Sequence, residues 1–132
     1  MRKRMRTITV AGVPYRWYRY HDHEPGEDRR ICREIIVVFD PANKRAPLRL
    51  RFREGPQWAI DSGYLSTRQN GVYRSFSLNH PRVIAALITT ARGSGWEARR
   101  LSAPLVVDDP FGWLLELEDP GAAGEIERTP DC

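Results

Sequence analysis

At 132 residues the chain has the size of one domain, long enough to bury roughly two-thirds of its unfolded surface without a disulfide or metal staple. A hydrophobic content of 41%, with four Trp, five Tyr and four Phe, excludes a wholly disordered chain. The net charge of +4 is polarised: residues 1–100 carry 20 Lys or Arg against 9 Asp or Glu, and residues 101–132 carry 1 against 8, so the body can attract an acidic partner or its own tail.

The N-terminal "MRKRMRTITVAG" has a basic cluster but no apolar run behind it, so it reads as a flexible basic arm over residues 1–5 rather than a secretory leader. Residues 6–11, "RTITVA", alternate and lead through Gly12 and Pro14 into "YRWYRY", the two arms of a β-hairpin. "HDHEPGEDRR" is polar, contains Pro25-Gly26 and reads as a loop. The nearly apolar Ile35 to Phe39 suits a central strand and is far short of the ~20 residues of a membrane helix. In "PLRLRFRE", Leu48, Leu50 and Phe52 point one way and Arg49, Arg51 and Arg53 the other.

Residues 54–74 carry Gly55-Pro56, Gly63 and Asn70-Gly71 and read as a loop-rich insert, with a small hairpin at Asn70-Gly71. A helix is expected after Asn79 as N-cap and Pro81 in the first turn. Val83, Ile84, Leu87, Ile88 and Ala91 form its apolar stripe, and Gly93 and Gly95 end it. "PLVVDDPFGWLLELE" suggests a short strand and a second strand at 111–118, and residues 119–132 a mobile acidic tail. The expected fold class is α+β: a mostly antiparallel twisted sheet of about five to six strands with one main helix, in a single domain over residues 1–118.

Two constellations could carry function. His21 and His23, two apart on a strand, would share a face, and Glu27 completes an H-x-H-x-x-x-E pattern that names the three as candidate metal ligands. The pattern is similar to the first metal motif of cupins, but Gly12 lies too far upstream, Pro25-Gly26 interrupts it and no second His motif follows. His80 or Cys32 would supply a further ligand only if the fold brought it there. The plainer reading ends the strand at Tyr20 and leaves residues 21–30 as a solvated loop, with Cys32 a buried, inert thiol. Cys32 and Cys132 sit a hundred positions apart with no CxxC, so neither a zinc ribbon nor a disulfide framework is read from them.

The second constellation is a binding surface. Arg16, Tyr18 and Tyr20 share one face of their strand, as Arg49, Arg51 and Arg53 do of theirs. If both faces lie on one side of the sheet, cations and stacking platforms combine. Trp58, Tyr64 and Tyr73, large aromatics in an irregular segment, must pack down or meet a partner. No GxSxG elbow, GxxxxGK phosphate loop or HExxH motif is present.

"ITVAGVPYRWYRY", then "HPRVIAALITTARGSGW" and "FGWLLELE", resemble small bacterial proteins of unknown function with a similar order of segments. The resemblance implies a compact bacterial domain and no particular activity. The reading is a small cytoplasmic, non-catalytic domain that needs no cofactor and recognises a macromolecular partner, foremost a protein, in the manner of an immunity-type or accessory protein. A nucleic-acid-binding module and a metal-dependent enzyme at His21 and His23 are the alternatives. No membrane association is expected, and the oligomeric state stays open.

Overall fold

The computed structural model describes residues 4–27 and 29–117. Most of the expected basic arm, the acidic tail and Cys132 lie outside the described residues. The fold is α+β and mostly sheet, the described residues forming eight strands in two sheets and two helices.

The larger sheet comprises β1 (Arg6–Val10), β2 (Val13–Pro25), β3 (Arg30–Asp40), β4 (Asn43–Arg53) and β8 (Leu105–Asp108), in the order β1-β2-β3-β4-β8. The first three neighbour pairs are antiparallel, and β8 joins β4 in parallel. The hairpin between β1 and β2 turns at Ala11 and Gly12, both at positive φ. The smaller sheet is β5 (Trp58–Asp61), β6 (Tyr64–Gln69) and β7 (Val72–Ser77), antiparallel throughout.

Three segments depart from their expected structure. The strand does not end at Tyr20: β2 pairs with β3 as far as Pro25 opposite Arg30, because Asp22 and Glu24 find a cross-strand cation in Arg33. The segment 54–74 is no loop-rich insert, since it supplies most of the second sheet, whose Ile60, Leu65 and Phe76 are buried in the common core. Asn70 and Gly71, at φ 52° and 77°, close its hairpin between β6 and β7. Finally, residues 111–118 hold no strand: α2 (Phe111–Leu115) is a short helix, the guanidinium of Arg74 donating to the Leu115 and Leu117 carbonyls at its end.

The other helix, α1 (Pro81–Gly93), buries the expected stripe of Val83, Ile84, Leu87, Ile88 and Ala91. Its N-cap is His80 rather than Asn79, the His80 Nδ1 accepting from the Arg82 N–H at 3.1 Å. Asn79 is drawn away because its side-chain oxygen accepts from Arg19. Trp96, just past the helix, is fully buried against Tyr15, and its indole N–H donates to the Ala46 carbonyl at 3.1 Å. Phe111 stacks on Trp58 with ring centroids 4.4 Å apart and meets Phe52 edge-on, joining α2 to both sheets. No helix among the described residues is long and apolar enough to cross a membrane.

Candidate functional site

Alternation along β2 divides its side chains between two faces. Tyr15 and Trp17 enter the core, and the same face continues through Arg19, His21 and His23. The opposite face carries Arg16, Tyr18, Tyr20, Asp22 and Glu24. Strand register then decides what each face meets.

On the outer face, Tyr18 lies opposite Val37 and Val37 opposite Arg49; Tyr20 lies opposite Ile35 and Ile35 opposite Arg51. Arg16, Tyr18, Tyr20, Arg49, Arg51 and Arg53 therefore belong to one side of the sheet. Tyr18 and Tyr20 stack with centroids 6.2 Å apart. Beside them Ile35 and Val37 are 1% and 2% exposed although neither belongs to the main core cluster, so they form a separate apolar floor.

The arginines on this face are largely tied to carboxylates. Arg51 grips Asp108 with two bonds of 2.5 and 2.9 Å, and Arg33 grips Asp22 with two of 2.7 Å. Arg53 pairs with Glu24, which also lies 3.5 Å from Arg33. The hydrogen bond to Asp108 lifts the Arg51 guanidinium above its ordinary value and holds the Asp108 carboxyl below its own. Asp22 raises Arg33 in the same way. Among the described residues Arg16 and Arg49 have no ion-pair partner and remain available cations.

The remaining candidates separate. Trp58 is 8% exposed and stacked on Phe111, so it serves the core and not a surface. Tyr64 is 38% exposed, but it belongs to the second sheet. Glu27 is exposed in the turn after β2 and is not among the grouped metal-ligand candidates. His80 is occupied as the helix cap.

The inner face of β2 gathers a polar cluster that the one-dimensional reading only half anticipated. Glu34, on β3 opposite His21, is 0% exposed and accepts from Arg19 Nη1 at 2.6 and 3.2 Å. Its other contact is His21 Nδ1, at 3.0 Å. A carboxylate only accepts, so His21 donates to it from Nδ1, while its Nε2 faces His23 Nε2, 3.3 Å away. Arg19 Nε donates to Asn79 Oδ1 at 3.0 Å. Gly63 makes room for that guanidinium: at φ +88°, it would place a Cβ within 3.0 Å of Arg19 Cζ.

Cys32, opposite His23 on β3, is fully buried, and its sulfur lies with His21 and His23 so that one ligand atom from each falls within 4.8 Å of the others. Cys32 is disulfide-bonded, which corrects the reading of an inert thiol. The Glu54 carboxylate accepts from the Cys32 backbone N–H at 2.9 Å and from Arg29 at 2.8 Å, while the Glu54 N–H donates to the Cys32 carbonyl. Glu34 and Glu54 are hidden in one dimension, because Glu34 meets His21 only where β2 pairs with β3, and Glu54, just past β4, meets Cys32 only through the fold. The matching parity of Tyr15, Trp17, Arg19, His21 and His23 was the available signal.

A cleft of about 770 Å³ opens elsewhere, between the β1–β2 turn and the end of α1, lined by Arg92, Arg99, Arg100, Asp40 and Glu97. Arg99 is bonded to Asp40 at 2.8 Å and Arg100 lies 3.5 Å from Glu97, so its charges are mostly satisfied within the protein. No family model matches the chain, and no curated protein or solved structure matches it.

Proposed function

We propose that the protein is a small, non-catalytic cytoplasmic domain that recognises another protein through the outer face of its larger sheet. The observation that supports this reading most is the register-aligned set of Tyr18, Tyr20, Arg49, Arg51 and Arg53 on one face. Tyrosine and arginine carry much of the energy at protein interfaces because they offer large area with few rotors and several donors. Here Arg33, Arg51 and Arg53 are already oriented by carboxylates, so less side-chain freedom is lost on docking. Arg16 and Arg49 add cations beside the stacked tyrosines, which fits a partner presenting acidic residues around an apolar centre.

The same pairing weakens the nucleic-acid alternative, because an arginine bound to a carboxylate releases fewer counterions from phosphate than an isolated one. The two readings separate in one experiment. The tagged full-length protein is incubated with source-cell extract treated with nuclease and chelator, alongside a folded Tyr20→Ser/Arg49→Glu variant. A defined protein retained by the native chain and lost by the variant is the expected result. Retention that vanishes with nuclease, or a partner indifferent to the two substitutions, overturns the assignment.

A further inference from the structure

We propose that His21, His23 and the reduced thiolate of Cys32 form a zinc-binding site that the Cys32 disulfide switches off. This rests on the inner face of β2 and is independent of the docking face. Two nitrogens bound to one tetrahedral zinc at about 2.0–2.1 Å lie roughly 3.3 Å apart. His21 Nε2 and His23 Nε2 are separated by 3.3 Å, and one ligand atom from each of His21, His23 and Cys32 lies within 4.8 Å of the others. The ligands stand on paired strands rather than on a loop, with Cys32 directly opposite His23, so their spacing is held by the β2–β3 hydrogen bonds.

The surroundings match what a bound imidazole needs. Metal-ligating histidines commonly give their other ring N–H to a carboxylate, which fixes the tautomer and raises the basicity of the ligating nitrogen. Glu34 does this for His21, and Arg19 holds Glu34 in place. Glu54 holds the Cys32 backbone in the same manner. Thiolate and Glu34 together outweigh the single charge of Arg19, leaving the immediate site anionic and suited to a dication. One thiolate and two imidazoles favour zinc over magnesium or calcium, which take oxygen donors. Among the described residues no fourth His, Cys, Asp or Glu joins the set.

The oxidation state of Cys32 governs access to this chemistry. A disulfide sulfur carries no anionic charge and is a poor zinc ligand, whereas a thiolate is a strong one. A dithiol reductant supplies two electrons and two protons: the disulfide bond of Cys32 breaks, two thiols form, and the reductant closes its own disulfide. Zinc then displaces the proton of the Cys32 thiol. A disulfide oxidant reverses the sequence: it accepts two electrons, takes its protons from the second thiol and solvent and becomes a dithiol, while the Cys32 disulfide re-forms and zinc is released.

The test uses the full-length protein in two states, one reduced with a phosphine and exchanged into reductant-free anaerobic buffer, the other oxidised. Each is titrated with cobalt(II), then with zinc(II) as competitor. The reduced protein is expected to bind a single ion per chain with a thiolate-to-cobalt charge-transfer band that zinc abolishes, and the oxidised protein to show no such band. His21→Asn and His23→Asn should each weaken binding by at least about tenfold, the low end of what even an outer partner of a ligand contributes. Circular dichroism verifies that both variants remain folded. Because the redox comparison uses the native chain, it stands even if a variant unfolds. No binding by the reduced protein, binding without the thiolate band, or equal binding in both redox states overturns the proposal.

Discussion

Replacing Arg19 by methionine tests whether the cluster on the inner face of β2 is an electrostatic unit. Glu34 is 0% exposed and Arg19 is 24% exposed at the side chain, with 2.6 Å between their charged atoms. Methionine fills much of the arginine stem but leaves Glu34 with only His21, and frees Asn79 Oδ1 of its guanidinium donor. Removing one partner of a fully buried pair costs about 3–5 kcal/mol. Water reaches the exposed part of Arg19, so the lower end applies, about 3 kcal/mol, or a fall in melting temperature on the order of 10 °C for a domain of this size. Urea denaturation of the native chain, Arg19→Met, Glu34→Met and the double variant closes a thermodynamic cycle. The double variant should recover at least half of the Arg19→Met loss, because no buried charge is left unpaired. A single-variant cost below about 1 kcal/mol, or additive losses in the double variant, would refute the reasoning.

Three further outcomes are expected. Gly71→Ala should cost about 1–2 kcal/mol in urea unfolding, since residue 71 sits at φ +77° and a Cβ there meets nothing within 4 Å, leaving only the left-handed backbone penalty. Trp96→Phe should cost about 2–4 kcal/mol by thermal or urea melting, combining a cavity with an Ala46 carbonyl deprived of its indole donor. Acid should erode stability through Asp108, held below its ordinary value by Arg51, and through Asp40. Burial works to raise Asp40, but the Ala42 N–H and Arg99 more than offset it. Carboxyls depressed in the folded state stabilise it above the unfolded value of about 3.9, and that contribution disappears as pH falls through the folded values. Melting temperature should therefore be level from about pH 7 to 5 and fall below about pH 4. The Arg51→Gln/Arg99→Gln variant should show a shallower acid decline, and an unchanged slope would contradict it.

Local patterns made the α+β class readable: the stripe along α1, the alternation of Leu48, Leu50 and Phe52 against three arginines, and the Asn70-Gly71 turn each specify a conformation through near neighbours alone. Partners distant in sequence obscured the rest. The polar stretch His21–Glu24 looks like loop until Arg33 stands across from Asp22, and Trp58 looks like a spare aromatic until Phe111 lies on it. Asn79 is a sound cap in isolation and loses the position only because Arg19, sixty residues away, takes its oxygen. The candidate site followed the same division. Its histidines and arginines were visible as residues, whereas Glu34 and Cys32 joined them only through the pairing of β2 with β3.

The parallel pairing of β8 with β4 sets an order of assembly. β1 to β4 meet through successive antiparallel hairpins, which close early because little chain entropy is lost. Leu48 must wait for Leu105, after the second sheet and α1 have been made. During that interval β4 is an open edge, the kind of template on which unfinished chains aggregate. The arginines at 49, 51 and 53 then make that edge repulsive to a second copy of itself. The carboxylate of Asp108, arriving with β8, later neutralises one of them, so the same guanidinium guards the nascent chain and clamps the finished one.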